Sequence, residues 1–231
     1  MQYKAIKLVK RPELHITPDL FETVTLETPA LVDGQILLKQ THMSLDPAMK
    51  GWMTDDRKSY IPPVELGEIM RSSGVAEVVE SRHEDFAVGD RVVGMIGWTE
   101  YAVSDGAGLN KLPPDISAEA VLCVLALPGL TAYQGLMEIG KPKAGETLVV
   151  SGAAGSVGSM VGQIAKAEGL TVIGTAGSDE KCRWLEDELG FDRAINYKSD
   201  DLAKQMAEAT PKGIDLYFEN TGGPVQHVVF N

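Results

Sequence analysis

The residues best placed to do chemistry lie between Val149 and Gly158 and read Val-Val-Ser-Gly-Ala-Ala-Gly-Ser-Val-Gly. Before them, Thr147–Val150 is a short apolar run suited to a buried strand. After them, Ser156–Glu168 puts Val157, Met160, Val161, Ile164 and Ala165 on one helical face. A glycine-rich turn between strand and helix is the setting that a dinucleotide fingerprint requires. Aligned on its last glycine, the turn reads Ala153-x-Gly155-x-x-Gly158, so Ala153 stands where the usual pattern has its first glycine. Gly155 would let the backbone approach a pyrophosphate, and Gly158 would let the helix pack closely on the strand. Ala154, Gly155, Ser156, Val157 and Gly158 would then offer phosphates the free N–H groups and partial positive charge of a helix N-terminus. The competing reading is a plain tight turn.

The next strand bears on which dinucleotide. NAD-binding folds usually carry an acid about 20 residues past the loop, at the tip of the second strand, on the ribose 2′-hydroxyl. Here that tip reads Gly174-Thr175-Ala176-Gly177-Ser178, without a carboxylate. Asp179 and Glu180 follow in a first helical turn, where acids are favoured in any case. Lys181 has no such explanation, because a cation there is mildly unfavourable. A 2′-phosphate beside Lys181 and the Ser178 hydroxyl would account for it, which favours NADP(H). A solvated surface lysine is the alternative, and Asp179 keeps NAD(H) open.

Two stretches of different grammar must position these groups. Residues 1–125 are β-rich, with Tyr3–Leu8, Phe21–Leu26, Ile36–Thr41, Val75–Val79, Asp90–Ile96 and Glu100–Val103 separated by Gly and Pro turns. Many short strands of this kind predict a barrel or sandwich. Asp46-Pro47 is expected to open a short helix over Ala48–Met53, with Asp46 as its cap. Residues 126–231 alternate strand and helix. Leu170–Thr175, Ala194–Tyr197 and Ile214–Phe218 are strands, and helices follow Ser178 (to Leu189) and Ser199 (to Ala209). That alternation predicts βαβ units, a parallel sheet and an α/β class for this half. The chain of 231 residues carries a formal charge of −12, which disfavours general binding to nucleic acid or anionic lipid. The longest apolar run, Ala120–Leu127, is too short to span a bilayer, and the start has no signal-peptide core. The cytoplasm is the expected location.

Several segments together resemble a known family. Leu127-Pro128-Gly129-Leu130-Thr131-Ala132-Tyr133 and the loop ending at Gly158 are typical of zinc-independent medium-chain dehydrogenases/reductases. Met43–Met53, Gly177–Lys181, Asn196-Tyr197-Lys198 and Tyr217–Gly223 narrow this to a group. It holds prostaglandin reductase, leukotriene B4 12-hydroxydehydrogenase and bacterial curcumin reductase. The resemblance implies a GroES-like β-barrel domain, residues 1–125, for substrate and catalysis. It implies a Rossmann doubly wound parallel sheet, residues 126–231, for NADP. It implies NADPH-dependent reduction of the C=C bond of small-molecule enones or enals, and it allows a homodimer. The family's 2′-phosphate contacts fall on Lys181 and Tyr197, and its nicotinamide and ribose contact falls on Asn220. Tyr197 could equally be a strand-end aromatic and Asn220 a turn residue. Ala48 and Lys50 depart from the family, many of whose members carry an aromatic and an arginine there.

Zinc chemistry of the alcohol-dehydrogenase type needs Cys and His ligands at fixed spacing. His15, His42, His83, His227, Cys123 and Cys182 offer none, so no metal is expected. Cys123 reads as a small core residue and Cys182 as partly exposed. No catalytic acid can be assigned, because the family's tyrosine lies beyond the residues given. A doubly wound sheet has about six strands, and only four are read after residue 147, so the sheet is expected to be C-terminally truncated. The alternatives to an enone reductase are a quinone reductase of the same superfamily and a catalytically incompetent dinucleotide-binding fragment.

Overall fold

The computed structural model describes residues 1–59 and 61–231. They form two compact units, Met1–Leu122 and Cys123–Asn231.

The first unit is built from β1 (Gln2–Leu8), β2 (Phe21–Glu27), β3 (Ile36–Met43), β4 (Ser73–Ser81), β5 (Arg91–Met95), β6 (Tyr101–Ser104) and β7 (Asn110–Lys111), with α1 (Met49–Trp52) inserted. Five strands form an antiparallel sheet in the order β6-β3-β4-β5-β7. β1 and β2 pair separately, with Gln2 opposite Glu27 and Leu8 opposite Phe21. Bridges Ala5–Thr99 and Lys7–Ile69 tie β1 to neighbouring turns. Register breaks at Leu37/Leu38 and Gln40/His42 bend β3 and sharpen its twist. Ile36, Leu38, Ala76, Val78 and Val92 alternate inward to form one core cluster. Leu8, Leu20, Met49, Met53, Val64 and Met70 form a second.

Asp46 does not cap α1. Its carboxylate accepts a 2.8 Å bond from the Ser44 hydroxyl, and among the described residues no side chain caps the helix. Ser44 competes successfully for the acid, and its neighbours make only a short helical turn. Arg11 is the main polar tie in this region. Its guanidinium donates to Met53 O at 3.1 Å and to Val64 O, and lies 3.6 Å from the Glu65 carboxylate. Arg11→Ala is expected to cost about 1–3 kcal/mol, because two carbonyls lose a charged donor. Urea denaturation measures it, and an unchanged midpoint would refute the tie.

The second unit opens with α2 (Leu127–Tyr133) and continues through β8 (Thr147–Val150), α3 (Ser156–Ala167), β9 (Thr171–Ala176), α4 (Asp179–Asp187), β10 (Arg193–Asn196), α5 (Leu202–Ala209), β11 (Leu216–Phe218) and α6 (Pro224–Val229). The four strands are parallel in the order β10-β9-β8-β11. Val161 and Ala165 of α3 with Cys182 and Leu185 of α4 cover one face of the sheet. Leu202 and Met206 of α5 with Val225 of α6 cover the other. α5 starts three residues later than Ser199, because Ser199 turns back to accept a 2.8 Å bond from Gln205.

Both cysteines differ from expectation. Cys182 is buried on the inner side of α4, one turn after the cap, and burial pushes its thiol pKa up. Cys123 is exposed, since Val121 and Leu122 fill the inner side of the wide turn over Ala120–Val124. Among the described residues no helix is long and apolar enough to cross a membrane.

Candidate active site

The carboxyl ends of the four parallel strands carry the second unit's candidate residues. After β8 the chain turns at Gly152, whose φ is +55°. The residue needing left-handed backbone is thus Gly152, one position before the Ala153 of the sequence alignment. Ala153 is fully buried, and its N–H bonds to Thr175 O at 2.9 Å, which fixes the loop on β9. Gly155 precedes the first residue of α3 in extended conformation, and among the described residues no side chain caps this helix. Gly155 and Ser156 are exposed. An added Cβ at Gly155 would meet only Gly152 O, at 3.2 Å. This combination of an open glycine and uncapped N–H groups fits a pyrophosphate.

The same loop also shows which residues face inward. A Cβ at Gly158 would lie 2.6 Å from Gly152 O and 2.8 Å from Ala153 Cα, so Gly158 serves close packing. Val157 packs against the core. Ala154 lines a cleft of about 460 Å³ with Lys181, Arg183 and Trp184.

At the end of β9, Ser178 caps α4 by accepting the Lys181 N–H at 3.4 Å, so its hydroxyl is already partly engaged. Asp179 accepts a 2.7 Å bond from Asn196 Nδ2, which occupies one oxygen of the nearest acid. Lys181 is exposed, and among the described residues it makes no ion pair. Tyr197, 37% exposed, follows β10 with its hydroxyl 3.2 Å from the position a Cβ on Gly177 would take. Lys198, which sequence reading leaves unassigned, places its ammonium 5.9 Å from the Tyr197 ring centre.

β11 ends in a group that local sequence does not reveal. The Glu219 carboxylate accepts from the Ser151 and Tyr217 hydroxyls and from the N–H groups of Thr221 and Gly222, the last two at 2.6 and 2.7 Å. Asn220 is anchored to the same point: its N–H donates to Ser151 Oγ at 2.7 Å and its Nδ2 to Ser151 O at 2.9 Å. Burial disfavours the Glu219 charge, but the hydroxyl and amide donors outweigh it and pull the pKa down to about 2. Burial, then the bond to Glu219, pushes the Tyr217 phenol upward. A depressed folded-state pKa contributes stability above the unfolded value, near 4.5, and loses it as pH falls towards about 2. Glu219→Gln removes that contribution. The stability gap between wild type and variant is therefore expected to close between pH 4.5 and about 2, read by urea denaturation at stepped pH. A constant gap would show that the charge contributes nothing.

In the first unit, Gln40, His42, Met43, Trp98 and Thr99 line a groove of about 360 Å³. His42 lies 3.5 Å from Glu119, and His83 stacks edge-on against Phe86. Among the described residues no three His, Cys, Asp or Glu side chains converge as metal ligands.

Residues 4–112 match the family model described as the N-terminal domain of oxidoreductase. Residues 156–230 match the one described as zinc-binding dehydrogenase. The NADPH-dependent curcumin reductase of Escherichia coli (strain K12) is 47% identical over 94% of this chain and 63% of its own length. Prostaglandin reductase 1 of Rattus norvegicus is 43% identical over 99% of this chain and 68% of its own. The crystal structure of CurA from Vibrio vulnificus in complex with NADPH superposes with a TM-score of 0.91 at 46% identity, covering 98% of this chain and 67% of that one. The chain thus spans about two thirds of the length of these relatives.

Proposed function

Since the chain belongs to the medium-chain dehydrogenase/reductase family, in the group of curcumin and prostaglandin reductases, we propose that it serves the NADPH-dependent reduction of the C=C bond of α,β-unsaturated ketones or aldehydes. The observation that carries this reading is the open glycine turn at Gly152–Gly155 leading into α3, which no side chain caps among the described residues, with Lys181, which forms no ion pair among them, lining the cleft beside Ala154. Bound NADPH supplies a hydride to the β-carbon of the enone, and the α-carbon then takes a proton.

The chain's own residues do the holding. The N–H groups at Ser156 and Val157 receive the pyrophosphate beside the open Gly155, whose own N–H is held by Gly152 O at 2.9 Å, with Ala154 forming the wall of the adjoining cleft. Gly158 keeps α3 against the loop so that those groups stay aligned. Lys181 and Tyr197, with the Ser178 hydroxyl, receive the 2′-phosphate, and Asn220 holds the nicotinamide side through its tie to Ser151. Residues 1–125 supply the substrate half and residues 126–231 the NADP half. The His and Cys residues lack ligand spacing, so no metal takes part in this reading. Quinone reduction is the second reading, because it shares the same cofactor requirements.

The experiment is calorimetric titration with NADPH and NADH, followed by NADPH oxidation with a linear enal and with a quinone. Preference for NADPH and turnover of the enal is the expected result. Turnover of the quinone alone would replace the substrate class, and binding without turnover would leave a dinucleotide-binding fragment.

A further inference from the structure

The sheet order reverses at β8, with β9 and β10 on one side and β11 on the other. In open α/β sheets a dinucleotide lies across the crevice at such a reversal, one mononucleotide to each side. The proposed function puts the adenosine half at the tip of β9, beside Ser178 and Lys181. The nicotinamide half then falls over the end of β11, where Glu219 sits. Glu219 is tied to Ser151 of the phosphate loop and to Thr221 and Gly222 of its own turn, so its position is fixed from three directions. Its partners are neutral hydroxyls and amides. Among the described residues no lysine or arginine pairs with it. The crevice root is also narrow, since a Cβ on Gly152 would lie 2.8 Å from Thr221 Cγ2.

A nicotinamide ring carries one more unit of positive charge when oxidised than when reduced. Hydride transfer breaks the ring C–H bond, forms a C–H bond at the enone β-carbon and leaves that charge on the ring, while solvent protonates the enolate. A fixed anion close by favours the charged product over the neutral reactant. We propose that Glu219 is the fixed negative charge that biases the bound nicotinamide towards its oxidised, cationic form and so eases hydride departure. The inference rests on the proposed function. It assigns Glu219 an electrostatic task beyond holding Asn220 and the two loops.

The test is calorimetric binding of NADP+ and NADPH, each separately, to the wild-type chain, Glu219→Gln and Glu219→Asp at neutral pH. A merely structural residue would weaken both forms by one factor. The expected result for Glu219→Gln is an affinity for NADP+ that falls about 5–10-fold more than the affinity for NADPH. Glu219→Asp keeps the charge, so it should keep the wild-type ratio even where both affinities drop. An equal loss of both forms, or no change in ratio, overturns the proposal. Should Glu219→Gln fail to fold, Tyr217→Phe removes one donor and leaves the charge less dispersed. Its ratio should move about twofold towards NADP+, and an unchanged ratio or a shift towards NADPH overturns the proposal. A wild-type chain that binds neither form overturns the proposed function itself, which a change of ratio alone cannot do.

Discussion

Gly158→Ala is expected to lower the unfolding midpoint of the second unit sharply and to abolish dinucleotide binding at micromolar concentrations. The reason is the identity of the atoms that the new methyl would meet. They are Gly152 O at 2.6 Å, Ala153 Cα at 2.8 Å and Gly152 C at 3.1 Å, all backbone. No rotamer change relieves them, so α3 or the loop must move. Overpacking of this kind costs about 1–3 kcal/mol or more. Replacing glycine inside a helix returns about 1 kcal/mol of helix propensity, which offsets only part of the strain. Moving the loop also turns aside the N–H groups at the start of α3, so binding fails along with stability. Gly155→Ala is the control for location. Its methyl would meet a single atom, Gly152 O at 3.2 Å, so the fold should survive. Urea denaturation followed by nucleotide titration separates the two. A Gly158→Ala chain with a wild-type midpoint would show that the close approach is not required.

The same loop shows how far sequence reading reaches. The strand–turn–helix order and the parallel sheet follow from local pattern, because Thr147–Val150 is a short continuous apolar run and the face of Val161 and Ala165 obeys the helical period. The role of Gly152 was not legible. Aligning on the last glycine credits Ala153 with a turn that the backbone makes one residue earlier. Glu219 was less legible still. A glutamate before Asn220 and Thr221 looks like a solvated turn residue, and its partner Ser151 is 68 positions away. Long-range hydrogen bonds leave no periodic trace in the chain. The cysteines failed for a related reason. An apolar run at Ala120–Leu127 says that something is buried there but not which side, and Val121 and Leu122 take the inner positions while Cys123 faces out.

Lys181→Ala combined with Tyr197→Phe is expected to weaken 2′,5′-ADP binding by about 100-fold while leaving ADP binding nearly unchanged. Each charge-assisted hydrogen bond to a phosphate is worth about 1.5–3 kcal/mol, and about 1.4 kcal/mol is a factor of ten. On the proposed contacts, Lys181 would supply the larger share as a cation, and the Tyr197 hydroxyl a smaller one. ADP lacks the 2′-phosphate and should not sense either change. Structure strengthens the case beyond sequence in one respect. Asp179, the acid that kept NAD(H) open, has an oxygen occupied by Asn196 at 2.7 Å, so it is less available to a ribose hydroxyl. The net charge of −12 works against any anionic ligand at long range. Added salt screens that repulsion and also weakens the Lys181 contact. The preference for 2′,5′-ADP over ADP should therefore fall more steeply with salt in the wild type than in the double variant, because only the wild type has the Lys181 contact to screen. Equal losses for ADP and 2′,5′-ADP would mean that Lys181 and Tyr197 hold the adenosine, or the fold, and not the phosphate that distinguishes NADPH.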